Sequence, residues 1–263
     1  MENALKVAKQ AALEAGRHLK QAQMNLSDRH TQLKKRNDLV TEFDWSSEQI
    51  IVDMIQTHFP THRFMTEESG DIEGSEDYCW IIDPIDGTTN FARGVPHFAI
   101  SIAMKYQDHM EVGVIYDPMR DEMFYAQRNR GAFLNGQAIQ VSGHPHIQSA
   151  LLGTGFPCKE ATWVAPYMRC FEAIFPKSLG MRRAGAAALD LAYVACGRLD
   201  GFWEFDLNLW DIAAAQVIIA EAGGILVDCH GGQDAPALGV IAGDTQLCTE
   251  LKTIIAPQWS PKR

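Results

Sequence analysis

The segment from Cys79 to Phe91, CWIIDPIDGTTNF, runs an apolar stretch straight into two carboxylates, a glycine and two threonines. Asp83 and Asp86, separated only by Pro84 and Ile85, are near enough to repel, and one of such a pair takes up a proton unless a cation lies between them. A hard divalent ion resolves that conflict. Taken alone, the segment fits equally well a turn residue followed by a helix cap, a common use of aspartate beside proline and glycine.

Carboxylates elsewhere shift the balance toward chemistry. FMTEESGD places Glu67 and Glu68 after a second short apolar stretch, and NLWDIAAA places Asp211 at the entrance of an alanine-rich helix. Singly, Glu67 reads as an exposed loop acid and Asp211 as a helix cap. Jointly, Glu67, Asp83, Asp86 and Asp211 are oxygen donors at the ends of elements, with the main-chain carbonyl of Ile85 beside them. Oxygen-only ligation suits Mg²⁺ rather than zinc or copper. Next to this set, Gly87-Thr88-Thr89 opens a helix and offers a phosphate group main-chain N–H donors and the positive end of a helix dipole. Metal and phosphate then meet in one place.

Local patterns predict the elements that must position these groups. Leu5, Ala8, Ala12, Ala15 and Leu19 recur three and four apart, the period of an amphipathic helix filling the first two dozen residues. A second helix starts near Asp44, carries Ile50, Ile51, Met54 and Ile55, and stops before Pro60. Trp80-Ile81-Ile82 predicts a short buried strand, broken by Pro84 and Gly87, with a helix beginning at Thr88. From Ala99 to Val141, the stretches FAISIAMKY, EVGVIYDP, EMFYAQ and AIQVS alternate with the turns QDH, PMRD and LNGQ, which predicts an antiparallel meander. From Leu151 onward strands and helices alternate, the pattern of an α/β half. A boundary near Ser142-Gly143 divides one compact body into an N-terminal α+β part, 1–142, with the metal ligands, and a C-terminal α/β part, 143–263.

With 263 residues, 46% of them hydrophobic and 21% charged, the chain is long enough for a large core or for two subdomains sharing a cleft. No apolar run approaches the roughly 20 residues needed to span a bilayer. The N-terminus MENALKVAKQAALEAG also lacks a secretion signal, so a cytoplasmic location is expected. The six cysteines are scattered without a C-x-x-C pair and predict neither a disulfide framework nor a zinc site. A formal charge of -10 disfavours nucleic-acid binding over the whole surface, although Lys34-Lys35-Arg36 forms a local basic patch. His144, His146 and His230 sit among turn residues and read as incidental; Phe202, Trp203 and Trp210 read as core.

In order and separation, EES, WIIDPIDGTTNF and WDIAAAQVIIAEAGG resemble the three signature segments of the inositol monophosphatase family, a branch of the Mg²⁺-dependent, lithium-sensitive phosphatases. The resemblance runs from the first helix to about Gly243, and GTGFP, KKRND and MRRAGAAALDLAYVACGRLDGFWE are similar to a bacterial branch of it. It implies a five-layer α-β-α-β-α sandwich, a homodimer, two or three Mg²⁺ per active site, and hydrolysis of myo-inositol monophosphate or a similar polyol or sugar phosphate. Glu67, Asp83 and the Ile85 carbonyl would hold the first metal, and Asp83, Asp86 and Asp211 the second. Thr88, with Asp44 or Glu67 behind it, would position the attacking water, and Lys34 or its neighbour Lys35 would approach the phosphate from a loop. Gly87 and Thr88 would contact the phosphate, Gly185, Ala186, Ala187 and Glu204, with Arg183, would line the alcohol half of the substrate, and Asp86 and Asp211 would also be substrate-binding. Asp206 and Asn208, between Glu204 and Asp211, depart from the bacterial relatives and bear on substrate preference. A related phosphatase acting on 3'-phosphoadenosine 5'-phosphate, fructose bisphosphate or histidinol phosphate is the alternative within this chemistry. Because the bacterial branch is associated with ribosomal RNA transcription antitermination, the alternative from a different class is a regulatory protein of that process with secondary phosphatase activity, which would bind partners from its machinery.

Overall fold

The alanine-rich N-terminal stretch forms α1 (Glu2–Met24) and buries Ala4, Val7, Ala8, Ala11, Ala12, Ala15 and Leu19, the stripe that a three-and-four spacing creates. The computed structural model describes residues 1–24, 31–35, 38–157, 161–229 and 239–258, with 31–35 and 38–41 described by their backbone alone. An antiparallel hairpin, β1 (Thr31–Lys35) and β2 (Asp38–Thr41), leads into α2 (Glu42–His58). This helix begins at Glu42 rather than at Asp44, which stands in its first turn, and it packs beside α1. The side chains of Lys34 and Lys35, and the whole of Arg36, Cys158 and His230, lie outside the described residues.

Strands β3 (His62–Thr66), β4 (Gly70–Ile72) and β5 (Ser75–Asp86) precede the short helix α3 (Thr88–Arg93). The expected meander follows as β6 (Ala99–Tyr106), β7 (His109–Asp117), β8 (Glu122–Gln127), β9 (Ala132–Leu134) and β10 (Gln137–Ala138). Together they make an eight-stranded sheet in the order β10-β9-β8-β7-β6-β5-β3-β4, antiparallel except where β3 runs parallel to β5. Pro84 does not end β5, contrary to the expectation from sequence. The strand continues to Asp86 because its register against β6 shifts between Asp83 and Asp86, a bulge in which the N–H that proline lacks is not required by the ladder.

The remaining elements are β11 (Leu151–Thr154), α4 (Val164–Ile174), β12 (Gly180–Arg182), α5 (Ala187–Ala195), β13 (Gly201–Phe205), α6 (Leu209–Glu221), β14 (Ile225–Asp228), β15 (Gly239–Gly243) and α7 (Thr245–Gln258). The second sheet, ordered β12-β11-β13-β15-β14, is mixed: β12, β11 and β13 are parallel, whereas β15 is antiparallel to both of its neighbours.

Five layers result. Helices α1 and α2 cover the outer face of the first sheet through Ile51, Ile55, Trp80, Ile82 and Ile102. Helices α5 and α6 fill the middle, packed on the first sheet through Ile81, Ala103 and Ile115 and on the second through Phe202 and Ala242. Helices α4 and α7 close the far face around Tyr167, Trp203, Phe205 and Leu251. At Gly113 on β7 a Cβ would overlap the Ala214 carbonyl, so only glycine lets α6 lie this close to the first sheet and bring its N-terminal turn over the end of β5.

Candidate active site

Glu67 leaves β3 level with the end of β5. Thr66 pairs with Ile82, and the Glu67 N–H donates to the Ile82 carbonyl at 3.2 Å. Behind it the buried Glu48 carboxylate, on α2, accepts the N–H groups of Glu68 and Ser69, each at 2.9 Å, and pins the turn. The Glu67 carboxyl group therefore faces that of Asp83.

Asp83 is buried and accepts the Ile85 N–H at 3.0 Å. Asp86, the last residue of β5, turns toward the middle layer and accepts three N–H groups from the first turn of α5: Ala187 at 3.0 Å, Ala188 at 2.8 Å and Leu189 at 3.4 Å. Asp211 stands in the first turn of α6, where it forms a capping box with Asn208 and accepts that residue's N–H at 2.6 Å. Ser101, paired with Asp83 across the ladder, donates to the Trp210 carbonyl at 3.1 Å and so draws this turn over β5. One oxygen from each of Asp83, Asp86 and Asp211 lies within 4.8 Å of the others.

This crowding has an electrostatic consequence. Burial, followed by the charges of Glu67, Asp86 and Asp211, pushes the Asp83 carboxyl well above the ordinary carboxylate range. Burial and Asp211 push Asp86 up as well, against the pull of the Leu189 and Ala188 N–H groups. The set favours a compensating cation, and its donors are all oxygens.

Thr88 follows the left-handed Gly87, φ 93°, at the start of α3. Its hydroxyl lies 3.1 Å from Asp44 Oδ1 and 3.0 Å from the Ile85 carbonyl, both acceptors. Asp44 is fully buried on α2, and the neighbouring Ser47 donates to the Pro84 carbonyl at 3.2 Å. The outer helix thus grips the bulge of β5 from behind.

Opposite the carboxylates lie the segment before α5 and the end of β13. Ala186 and Ala187 are buried, and Gly185 adopts φ 93° against the Arg183 guanidinium and the Asn90 amide. Asn90 donates to the carbonyls of His97 at 2.8 Å and Ala184 at 2.9 Å, which fastens α3 to this segment. Burial, then Asp190 and Asp211, raise the Glu204 carboxyl well above its usual range, and Arg183 opposes them.

Sequence reasoning missed Glu48, Ser47, Ser101 and Asn90. A signal existed for two of them. Asp44, Ser47, Glu48, Ile51, Val52 and Ile55 form the buried face of α2, so polar residues sat on the apolar period. Ser101 and Asn90 act across layers and leave no local pattern.

An acidic cluster where a bulged strand meets two helix N-termini, inside a five-layered sandwich, defines the fold class of a metal-dependent phosphatase. Residues 1–260 match the inositol monophosphatase family, and the chain belongs to it. It is 45% identical to the Nus factor SuhB of Pseudomonas aeruginosa, covering 99% of this chain and 98% of that protein. The solved structure of extragenic suppressor protein suhB from Bartonella henselae superposes with a TM-score of 0.92 at 38% identity, covering 95% of this chain and 97% of that one. Inositol monophosphatase from Anabaena (Nostoc) sp. gives a TM-score of 0.86 at 33% identity, with 97% and 96% covered.

Proposed function

We propose that this chain is a Mg²⁺-dependent phosphomonoesterase that hydrolyses myo-inositol monophosphate, and similar polyol and sugar phosphates, to the free alcohol and phosphate. The observation that carries this reading is the meeting of Asp83, Asp86 and Asp211 within 4.8 Å, beside the Thr88–Asp44 hydrogen bond, in a chain of this family. The donor set fits a hard cation: the carboxylates are crowded and mostly buried, and raised pKa values mark how poorly they bear their charges together. Glu67, Asp83 and the Ile85 carbonyl would hold one Mg²⁺, and Asp83, Asp86 and Asp211 another, with two or three per site. When bound, Mg²⁺ supplies Lewis acidity, lowering the pKa of water and neutralising charge on the phosphoryl and leaving oxygens.

The chain's own residues handle the proton. A threonine hydroxyl has one hydrogen and two lone pairs. The Thr88 hydrogen is directed to Asp44 Oδ1 or the Ile85 carbonyl, which leaves its oxygen as an acceptor for the attacking water. As the water oxygen bonds to phosphorus and the ester P–O bond breaks, a water proton passes to Thr88 Oγ and the threonine's own proton to Asp44. The leaving alkoxide takes a proton from solvent and departs as the free alcohol, and Asp44 returns its proton to solvent. Main-chain N–H groups at Gly87 and Thr88, with Lys34, would hold the phosphate oxygens. Gly185, Ala186, Ala187, Glu204 and Arg183 would receive the alcohol. A homodimer in the cytoplasm belongs to the same proposal; no helix among the described residues is long and apolar enough to cross a membrane.

Steady-state kinetics on a panel of phosphate esters, with Mg²⁺ titrated and lithium added, test it. The expected result is Mg²⁺-dependent, lithium-inhibited turnover with inositol monophosphate preferred. A preference of more than about tenfold for a bisphosphorylated nucleotide, fructose bisphosphate or histidinol phosphate overturns the substrate. No turnover of any ester overturns the enzyme.

The relative named as a Nus factor favours a second reading, a regulatory role in transcription antitermination through contacts that do not use the carboxylates. A pull-down with transcription elongation factors, comparing wild type with Asp86→Asn, separates the two. Binding that survives while turnover vanishes shows that both roles coexist on one chain.

A further inference from the structure

The parallel strands β12, β11 and β13 lie side by side and end on the same side of the second sheet. In open α/β sheets that side is where ligands bind. Three chemically different groups leave it together. Arg183 follows β12, Gly155 and Phe156 follow β11, and Glu204 lies near the end of β13. The pairing of Thr154 with Trp203 sets Gly155 beside Glu204. A Cβ on Gly155 would overlap the Glu204 carboxyl group, so the missing side chain is the space in which that carboxyl group rests.

Phe156 stands at the rim of this place. Its ring meets Tyr167 edge-on, with centroids 5.6 Å apart at 88°. The Arg183 guanidinium carbon lies 5.1 Å from its centroid. Even so, the residue remains 49% exposed while its neighbours Gly155 and Pro157 are buried. An acceptor, a multiple donor and an open aromatic surface within one rim suit one kind of alcohol. A polyol ring offers hydroxyls around its edge, for Glu204 and Arg183, and C–H groups on its face, for an aromatic side chain. An open-chain alcohol offers no such face.

Resting on the phosphatase reading, we propose that Phe156 is a specificity-determining residue that packs against the ring face of the alcohol and selects cyclic polyol phosphates over open-chain esters. Gly155 serves it by leaving Glu204 room to reach the same ring.

The test compares myo-inositol 1-phosphate with glycerol 2-phosphate for wild type, Phe156→Ala, Phe156→Leu, Phe156→Tyr and Gly155→Ala, with inorganic phosphate as product inhibitor. The ratio of kcat/KM for the ring ester to that for the open ester should fall about fivefold in Phe156→Ala, through KM rather than kcat. It should fall less in Phe156→Leu and recover in Phe156→Tyr. Gly155→Ala should lower the ratio as well, by pushing Glu204 aside. In all of them inhibition by inorganic phosphate should stay within about twofold of wild type, because the phosphate half is untouched. Where Phe156→Ala loses its fold on thermal unfolding, Phe156→Leu carries the comparison. Wild-type turnover with an unmoved ratio overturns this inference alone, as does a drop shared equally by both esters and by phosphate binding. Absence of wild-type turnover on both esters overturns the phosphatase reading and the inference with it.

Discussion

Asp86 accepts the main-chain N–H of Ala188 at 2.8 Å across 102 residues of sequence, so the end of the first sheet is tied to the first helical turn of the middle layer. The residue that shares an acidic cluster with Asp83 and Asp211 is also a cap for α5. Cluster and scaffold are therefore coupled, and changes at the carboxylates should register in stability as well as in turnover.

The first prediction concerns that coupling. Asp211→Asn keeps an acceptor for the Asn208 N–H but removes one of the crowded charges. The metal-free variant should melt above metal-free wild type by roughly 2–4 °C, the shift that about 1 kcal/mol produces in a chain of this size. Wild type should gain about 2.7 kcal/mol from Mg²⁺ at a hundredfold excess over Kd, and the variant should lose most of that gain. Thermal unfolding with and without EDTA measures both; a variant that gains from Mg²⁺ as wild type does would remove Asp211 from the proposed metal site.

Thr88→Val preserves shape and deletes the hydroxyl that bridges toward Asp44. Turnover should fall by about a hundredfold or more, with KM changed by no more than about threefold. Thr88→Ser should recover most of the loss. Steady-state kinetics on the preferred ester decide the matter, and a fully active valine variant would dismiss the proton path.

Asn90 should tolerate alanine better than aspartate. Alanine forfeits two hydrogen bonds to carbonyls, at a cost of about 1–2 kcal/mol. Aspartate sets an anionic oxygen against the carbonyls of His97 and Ala184, which should cost about 3 kcal/mol. Chemical denaturation of the two variants at neutral pH gives the order, and equal costs would show that the amide does not fasten α3 to the segment before α5.

The Arg198 guanidinium bonds both oxygens of Glu122 at 2.6 Å and holds that carboxyl below its usual range. A depressed folded-state pKa means that the pair's stability is fully present above the unfolded glutamate pKa, about 4.3, and is lost as pH falls through the lower folded value. With the Arg198 side chain 39% exposed, solvent screening limits the pair to about 1 kcal/mol. Glu122→Gln should therefore melt a few degrees below wild type at pH 7. That gap should close as the pH is lowered into the acid range below 4.3. A gap independent of pH would assign the loss to packing instead.

Much of this was legible in the sequence because much of it is local. The alanine period of α1, the alternation of the meander and the turn residues between its strands each act within a few positions. The segments bearing Glu67, Asp83, Asp86 and Asp211 were legible as oxygen donors at element ends, since glycine, proline and helix-start signals sit beside them. Glu48 and Ser47 also lie on a readable period, polar residues on the apolar stripe of α2 whose partners belong to other elements.

What the sequence by itself determined is the type of each element and the chemistry of the groups it ends on, because backbone preference and side-chain character are properties of short stretches. Only the tertiary structure decided that β5 passes through Pro84, since the bulge depends on register against β6. Only it set Asp86 on α5, Ser101 on the turn before Asp211, and Glu204 in the space above Gly155. These are contacts between layers, made by residues far apart in the chain, and side-chain packing across a layer has no period for a sequence to display.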